Sequence, residues 1–293
     1  MHKAGFVNIL GLPNMGKSTI LNAVFGEKLA IVTPKAQTTR HRMIAVYNED
    51  DVQIVFSDTP GIITNTHYKM QDSMMSEINP AFEDADVFIW VTDPFTKIEG
   101  LEDKIQKISK SEIPTLIVLN KIDLCNAEQL NQAVNFWHST MPKAEILPAS
   151  ALEGVNLDLL LKKVISWLPE SPAYYGKDEL SDRPVRYFVS EIIREKIFLA
   201  YEQEIPYSSE VVINTYKEGK DLDRIEAYII VERESQKNII IGKGGSQIKQ
   251  VGISSRKDIE EFVGKQVFLD LRVKVDKDWR NNPAKLKRYG FTE

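Results

Sequence analysis

The stretch Gly11-Leu12-Pro13-Asn14-Met15-Gly16-Lys17-Ser18-Thr19 lies between an apolar run at residues 6–10 and a helical pattern at residues 20–25. It therefore predicts a strand, a loop and a helix in that order. The spacing G-x-x-x-x-G-K-S is that of a phosphate-binding loop, whose backbone N–H groups surround the phosphates of a nucleotide. Lys17 would reach the β- and γ-phosphates, and the Ser18 hydroxyl would bind Mg²⁺. Because both flanks match, we prefer this interpretation to a simple glycine turn and expect the whole stretch to contact the nucleotide.

Length and composition indicate a globular protein of about two domains. The chain has 293 residues, of which 43% are hydrophobic and 27% charged, and no apolar stretch approaches the ~20 residues that span a bilayer. Residues 1–5 run directly into the first predicted strand, so we expect no signal peptide. The single cysteine, Cys125, has no internal partner for a disulfide, which fits a reducing cytoplasm. We therefore expect a cytoplasmic protein that acts as a monomer.

Charge is unevenly distributed along the chain. The formal net charge is −5, yet residues 237–293 carry 13 basic and 7 acidic residues. Such an asymmetry can mark a surface that binds a polyanion. Charge alone, however, is explained more simply by a solvated basic face without a ligand.

A second motif, Asp58-Thr59-Pro60-Gly61, follows the alternating strand pattern of residues 52–57. In this position Asp58 would hold Mg²⁺ through water, and the Gly61 N–H would bond the γ-phosphate. Ile62 stands where Ras-like enzymes carry the glutamine that orients the attacking water. We therefore expect slow turnover, with the group that orients the water unassigned. The whole motif and Ile62 are expected at the nucleotide.

The segment of residues 26–42 lacks a regular pattern and predicts a mobile loop. In a P-loop nucleotide hydrolase this loop is the first switch, where a threonine senses Mg²⁺ and the γ-phosphate. Thr39 is the first candidate and Thr38 the second, although on their own two threonines would more simply open the next strand. The expected catalytic residues are Lys17, Thr39 and Gly61, and the expected Mg²⁺ ligands are Ser18, Thr39 and Asp58.

A third motif, Asn120-Lys121-Ile122-Asp123, has the form N-K-x-D and follows a buried strand pattern at residues 115–119. The Asp123 carboxylate can accept two hydrogen bonds from the guanine edge, which adenine does not present. Asn120 would also bind the base, and the stem of Lys121 would stack along its ring. The base-selecting residue is therefore expected to be Asp123.

Strand patterns alternate with helical ones through residues 1–170, the predicted GTP-binding domain. This alternation predicts an α/β fold with a mostly parallel sheet covered by helices on both faces. The pair Ser150-Ala151 follows the last predicted strand and would place a backbone N–H near the guanine O6. Together the motifs predict a domain that binds GTP or GDP with Mg²⁺.

Residues 171–184 are polar and punctuated by proline, which predicts a linker. Residues 185–293 give helix, strand, strand, helix, helix and strand, the order of a smaller α+β domain of the type II KH class. The stretch Gly242-Lys243-Gly244-Gly245 would be its G-x-x-G clamp, where small residues let the backbone meet an RNA strand. The tail, residues 276–293, would either stack bases or pack its aromatic rings on the domain. The expected RNA contacts are Ile241, Gly242, Lys243, Gly244, Gly245, Lys249, Arg256 and Lys257.

These motifs, with further stretches spread through the chain, resemble the Era family of the TrmE-Era-EngA-type GTPases. The resemblance implies Mg²⁺-dependent GTP hydrolysis and binding near the 3′ end of 16S ribosomal RNA during assembly of the 30S subunit, gated by the GTP or GDP state. It also implies loose, peripheral contact with the cytoplasmic face of the inner membrane. The stretches that carry it, besides the motifs above, are residues 35–42, 190–196, 205–208, 231–234 and 241–244.

The alternative is a GTP-controlled protein or membrane adaptor whose KH domain has lost RNA binding. The overall acidic charge favours this alternative. Gly242, Lys243 and Gly244 argue against it, because a clamp without a ligand need not keep small residues.

Overall fold

The computed structural model describes residues 2–291, which form two compact units. The first unit contains the described residues up to Ala30, together with Thr39–Thr66 and Met74–Asp182. The second contains Ile31–Thr38, His67–Ser73 and the described residues from Arg183 onward. Two short stretches of the N-terminal half of the chain therefore belong to the second unit. Residue 1 of the first predicted domain and residues 292 and 293 of the second lie outside the described residues.

The first unit is built on a six-stranded sheet of order β2-β3-β1-β4-β5-β6, in which only β2 runs antiparallel to its neighbour. Every residue of β4 and β5 is buried, as expected for strands with helices on both faces. The predicted α/β fold is confirmed. The strands are β1 (Lys3–Leu10), β2 (Met43–Glu49), β3 (Val52–Asp58), β4 (Val87–Thr92), β5 (Thr115–Leu119) and β6 (Glu145–Pro148). The helices are α1 (Lys17–Phe25), α2 (Lys69–Ser76), which begins in the second unit, α3 (Glu102–Lys110), α4 (Ala127–Thr140) and α5 (Leu157–Trp167).

The polar segment predicted as a linker, residues 171–184, is held on the first unit as far as Asp182. Gln53 Oε1 accepts the Tyr174 N–H at 2.7 Å, and the Val46 N–H donates to the Leu180 carbonyl at 2.9 Å. Because β2 is an edge strand, the bond from Val46 occupies a backbone group that would otherwise be open to another chain. The prolines and polar residues of this segment indicate roughly where the two units meet in the sequence. The contacts of the folded chain place the boundary between the units after Asp182.

The second unit has a three-stranded sheet of order β7-β8-β9, with β7 and β8 antiparallel and β8 and β9 parallel. One face of this sheet packs on helices around a core that contains Ile193, Ile229 and Ile259. The smaller KH-type fold expected for this part of the chain is confirmed. The strands are β7 (Glu210–Lys217), β8 (Leu222–Val231) and β9 (Gln266–Val275). The helices are α6 (Val185–Ala200), α7 (Ile205–Ser208), α8 (Glu234–Ile241), α9 (Ser246–Val263) and α10 (Pro283–Arg288).

The described part of the tail resolves the choice between base stacking and packing for its large rings. Trp279 and Phe291 are both buried, with their ring centroids 6.2 Å apart. The Trp279 indole N–H donates to the Ser208 carbonyl at 3.3 Å. These rings therefore complete the core of the second unit. Within residues 2–291, no helix is long and apolar enough to cross a bilayer.

Candidate nucleotide and RNA sites

The phosphate loop joins β1 to α1 at the carboxyl edge of the parallel sheet, and its backbone conformation requires glycine. Gly11 has φ +143°, and a Cβ there would lie 2.2 Å from the Val91 carbonyl oxygen. Gly16 has φ +95°, and a Cβ there would lie 2.1 Å from Asn120 Nδ2. Helix α1 begins at Lys17, so its free N–H groups face the loop, where they favour an anion.

The Lys17 side chain is buried and contacts the phosphate loop. Its ammonium group donates to the Gly11 and Leu12 carbonyl oxygens at 3.2 and 2.9 Å. Burial lowers its pKa to about 8, and the negative charge of Asp58 opposes this shift. A cation in such a place is costly without counter-charge, so the site favours a polyanionic ligand.

Three oxygen-bearing side chains converge beside Lys17. The Ser18 hydroxyl donates to Asp58 Oδ2 at 2.7 Å, and Thr39 Oγ1 lies 3.0 Å from Ser18 Oγ and 3.4 Å from Asp58 Oδ2. The structure thus brings together all three predicted Mg²⁺ ligands. Thr38 is directed elsewhere, because its hydroxyl donates to the Lys35 carbonyl at 2.8 Å.

The environment of Asp58 suits a hard cation. The side chain is fully buried, and burial raises the pKa of its carboxyl against the opposing effect of the Ser18 hydrogen bond. Its Oδ1 atom is buried without a hydrogen-bond partner among the described residues. An unsatisfied carboxylate oxygen beside two hydroxyls is the donor set that Mg²⁺ prefers. The described residues contain no cluster of three His, Cys, Asp or Glu side chains placed for a metal, so the hydroxyls are essential to this fit.

The turn after Asp58 packs directly on the phosphate loop. A Cβ at Gly61 would lie 2.5 Å from Pro13 Cα, and the Ile62 N–H donates to the Gly11 carbonyl at 3.0 Å. The Ile62 side chain itself is buried in the hydrophobic core of the first unit. Its backbone therefore lies near the phosphate loop, whereas its side chain cannot orient a water molecule. This explains physically why an apolar residue follows Gly61.

At the predicted base-binding end, Asn120 connects three loops. Its amide donates to the Met15 carbonyl at 2.9 Å, and its oxygen accepts the Ala151 N–H at 2.9 Å. The Ser150 hydroxyl donates to Asp123 Oδ1 at 2.5 Å, which orients the carboxylate. The side chains predicted to recognise guanine are therefore brought together by the fold, and they come from loops that follow β5 and β6.

Asp93 is a site residue that the motifs do not reveal. Its Oδ2 lies 3.2 Å from the Lys121 ammonium group, which also donates to the Asn14 carbonyl at 2.7 Å. Asp93 thereby orients the lysine that is predicted to stack along the base. The available signal is its position, directly after β4, since carboxyl ends of parallel strands meet at one edge of the sheet.

The G-x-x-G loop lies between α8 and the N-terminus of α9 in the second unit. Gly242, Gly244 and Gly245 all have positive φ, between 61° and 79°. A Cβ at Gly242 would lie 2.5 Å from Gln247 Cγ, whereas at the other two positions it would meet nothing within 4 Å. Lys243 is exposed at the tip. The loop is therefore open to an approaching backbone.

An open groove of about 350 Å³ runs beside this loop, between α9 and β9. Its lining contains the apolar residues Ile253 and Leu271 and the basic residues Lys249 and Arg256, of which Arg256 lies 3.6 Å from Glu260. Lys257, the third basic residue predicted to bind RNA on this helix, is exposed but does not line the groove. A groove lined by both apolar and basic side chains suits bases and phosphates of a single strand.

Comparison with known proteins identifies the types of both domains. Residues 6–121 match the family model described as 50S ribosome-binding GTPase, and residues 204–280 match that of the KH domain. A structure of Era in complex with MgGDPNP and nucleotides 1506–1542 of 16S ribosomal RNA is 37% identical, with a TM-score of 0.95 over 100% of both chains. A variant of Aquifex aeolicus Era bound to GDP and AlF₄⁻ is also 37% identical, with a TM-score of 0.94 over 99% of this chain and 100% of that one. Their ligands agree with the predicted GTP or GDP and Mg²⁺. The chain therefore belongs to the Era family of GTPases, in which a KH domain follows the nucleotide-binding domain.

Proposed function

We propose that this GTPase binds the 3′ end of 16S ribosomal RNA through its KH domain and acts in assembly of the 30S subunit. The observation that carries the RNA proposal is the open G-x-x-G loop beside the apolar groove, in a chain that matches an RNA-bound Era along its whole length. Gly244 and Gly245 have positive φ values, and a Cβ at either position would meet no other atom within 4 Å. Packing inside the second unit therefore does not require glycine there. Both glycines suit close approach by a sugar-phosphate backbone.

For hydrolysis, we propose an in-line attack by water on the γ-phosphate of GTP, with charge stabilisation as the main contribution of the protein. Lys17 would exchange its bonds to the loop carbonyls for bonds to phosphate oxygens. Mg²⁺, when held by Ser18, Thr39 and Asp58, neutralises charge on the phosphates. Because the Ile62 side chain is buried, no residue in the glutamine position orients the water, and intrinsic turnover is expected to be slow.

We also propose that the nucleotide state gates RNA binding, and contacts inside the second unit support this. Residues 67–73, which lie shortly after Gly61, belong to that unit. The Arg280 guanidinium lies 3.9 Å from the centre of the Tyr68 ring, and the Arg280 carbonyl accepts the Met70 N–H at 2.9 Å. Arg280 is itself fixed by an ion pair with Glu232, whose Oε2 accepts its Nε–H at 2.9 Å.

The other early segment of the second unit, residues 31–38, has similar support. The Lys35 ammonium group donates to the carbonyl oxygens of Phe198, at 2.5 Å, and Tyr201. A cation at the C-terminal end of α6 is favourable because carbonyl groups there carry partial negative charge. Thr38 in this segment is joined directly to Thr39, so movement of Thr39 with the nucleotide would act on these contacts.

The proposed partner also implies a place of action. Assembly of the ribosome takes place in the cytoplasm, and we propose that this protein acts there. Peripheral contact with the inner membrane, implied by the resemblance, is a separate proposal. It is tested by co-sedimentation of the purified protein with vesicles of anionic lipids.

The decisive experiment measures affinity for an RNA equivalent to nucleotides 1506–1542 of 16S rRNA, with GDP and with a non-hydrolysable GTP analogue, at fixed salt. Tighter binding with the analogue, by about 5- to 150-fold, is expected if the two sites are coupled. Replacing Lys243 and Gly244 by aspartate should abolish RNA binding and leave GTP hydrolysis intact. Equal RNA affinity in both nucleotide states would show that the nucleotide site and the RNA site are not coupled. Absence of RNA binding by the wild type would favour the adaptor alternative.

A further inference from the structure

The sheet of the second unit has one face on which side chains of β8 and β9 are exposed, although Ile230 near the end of β8 is buried. Along β8 the core residues Ile225, Ala227 and Ile229 alternate with the less buried positions between them. The same alternation along β9 leaves Phe268 and Arg272 exposed, at 53% and 59%. Since successive side chains of a strand point to opposite faces, the exposed set shares the outer face. The outer face is formed by Arg224, Glu226, Tyr228, Phe268, Asp270, Arg272 and Lys274.

Two aromatic rings on the outer face each lie beside a cation. The Arg224 guanidinium is 5.5 Å from the centre of the Phe268 ring, its direct neighbour in the strand register. The Lys274 ammonium group is 5.6 Å from the centre of the Tyr228 ring. An exposed ring with a cation beside it is the combination on which nucleic-acid bases stack while phosphates are neutralised.

The charges of the outer face leave a positive excess. Its two carboxylates, Glu226 and Asp270, lie 3.4 and 2.6 Å from the same guanidinium, that of Arg272. Glu226 also accepts a hydrogen bond from Asn214 at 2.8 Å. Neither Arg224 nor Lys274 forms an ion pair with a residue in the described part of the chain. These two cations are therefore the ones available to an anionic partner.

The outer face is continuous with the groove beside the G-x-x-G loop. Asp270, on the edge strand β9, lines that groove and is the ion-pair partner of Arg272 on the outer face. A G-x-x-G loop holds only about four nucleotides, so a longer RNA must leave the groove. Crossing the edge of β9 would bring the strand to Phe268.

From these observations we infer that the outer face is a second RNA-contact surface, which binds the part of the strand beyond the clamp. The inference rests on the proposed RNA-binding function and extends it. The occupant is RNA because the surface combines the cations Arg224 and Lys274 with the exposed ring of Phe268 and adjoins the groove between α9 and β9. Phe268 supplies stacking area, and Arg224 and Lys274 contact phosphates.

The test compares two RNAs with the full chain and a GTP analogue. One RNA is the shortest 3′-terminal strand that saturates the clamp, and the other is equivalent to nucleotides 1506–1542 of 16S rRNA. Phe268→Ala should weaken binding of the long RNA by about 5- to 100-fold, the usual contribution of one stacked base, and leave the short RNA unchanged. Arg224→Gln should reduce the slope of log affinity against log salt concentration for the long RNA by about one, the value of one lost phosphate contact.

Matched controls remove an exposed ring or a surface cation elsewhere. Phe136→Ala on α4 removes a ring of similar exposure, and Lys162→Gln on α5 removes an exposed positive charge. Both controls should bind the two RNAs as the wild type does. Thermal melting of each variant checks that the second unit remains folded.

The following results would overturn the inference. The inference would be wrong if Phe268→Ala and Arg224→Gln bound the long RNA as the wild type does. It would also be wrong if these variants lost the same affinity for the short RNA as for the long one. Unchanged RNA binding with lost binding to purified 30S subunits would assign the outer face to a protein partner. A wild type that binds the short RNA but gains nothing from the long one would also contradict it, while leaving the proposed clamp intact. Failure to bind either RNA would contradict the proposed function as well.

Discussion

The phosphate loop and the G-x-x-G clamp both depend on glycine, but for different physical reasons. At Gly16 a Cβ would lie 2.1 Å from Asn120 Nδ2, so the loop is closed against a neighbouring side chain. At Gly244 and Gly245 a Cβ would meet nothing within 4 Å, although both residues have positive φ. At Gly16 glycine is thus required by internal packing as well as by a positive φ, whereas at Gly244 and Gly245 only the positive φ requires it and the space beside them is open.

The polar groups of the phosphate loop and of the clamp also differ in how many contacts they make within the protein. In the nucleotide site, Asn120 bonds both Met15 and Ala151, and Lys17 bonds the loop carbonyls. In the clamp, Lys243 is exposed at the loop tip. The nucleotide site is therefore preorganised by the fold, whereas the clamp is left open and, under the proposed function, would complete its contacts on binding RNA. This difference predicts that folding and binding are inseparable in the first loop and separable in the second.

Gly16→Ala should have the largest effect, because it introduces both a clash with Asn120 and a strained φ of +95°. We expect the affinity for GDP to fall by at least about 100-fold, or ~3 kcal/mol, together with a lower melting temperature. Fluorescent GDP titration and thermal melting measure the two effects. Gly26→Ala is the matched control, since Gly26 has φ +68° with nothing within 4 Å. If both variants bind GDP equally, internal packing is not the reason for glycine at Gly16.

Asp123→Asn tests whether the preorganised base site selects guanine. The Ser150 hydroxyl fixes one carboxylate oxygen of Asp123, which leaves the group oriented toward the base. Loss of charged hydrogen bonds should weaken GDP binding by about 100-fold, and the variant should prefer xanthine nucleotides. Competition between the two nucleotides in one titration gives the ratio directly. A variant that still prefers guanine would remove Asp123 from the base-selecting role.

Gly244→Ala tests the separability of folding and binding at the clamp. Its strained φ of +61° should lower the free energy of unfolding by about 1 kcal/mol, while RNA affinity falls by about tenfold because the new Cβ lies where the RNA backbone approaches. Denaturant unfolding and RNA titration measure these changes. Gly264→Ala at the end of α9, with φ +67° and open space, should lose the same stability and keep RNA binding. An equal loss of RNA affinity in both variants would show that strain alone explains the effect.

The sequence predicted the motifs of the nucleotide site because each one is contiguous and follows a strand with a clear pattern. The groups that it could not assign with their partners depend mostly on contacts distant in sequence. The sequence ranks Thr39 before Thr38 as the switch threonine, and the fold places Thr39 beside Asp58, 19 positions away, whereas Thr38 bonds the nearby Lys35 carbonyl. Asp93 orients Lys121 across 28 positions of the chain, and its place directly after β4 is the only local signal it has.

The second unit shows the same limit more strongly. Helical and strand patterns predicted α6, β8, α9 and β9. They could do so because the spacing of apolar residues along one element shows which of its faces is buried. Nothing in the pattern of residues 31–38 and 67–73 indicates that they pack with residues beyond Arg183. Their contacts depend on groups such as the Arg280 guanidinium, whose partners are fixed only by the folded chain.

Tyr68→Leu should have the smallest effect, and it tests whether the Tyr68 ring carries the proposed response of the clamp to the nucleotide. The variant removes the ring that lies 3.9 Å from the Arg280 guanidinium and leaves the ion pair between Arg280 and Glu232 in place. A cation–π contact at a partly exposed site contributes about 0.5–1 kcal/mol, so the ratio of RNA affinities with the GTP analogue and with GDP should fall by about two- to fivefold. Tyr68→Phe keeps the ring and should retain the wild-type ratio. If Tyr68→Leu keeps the ratio as well, the stacked ring does not couple the sites. If Tyr68→Phe loses it, the phenol hydroxyl rather than the ring face carries the coupling.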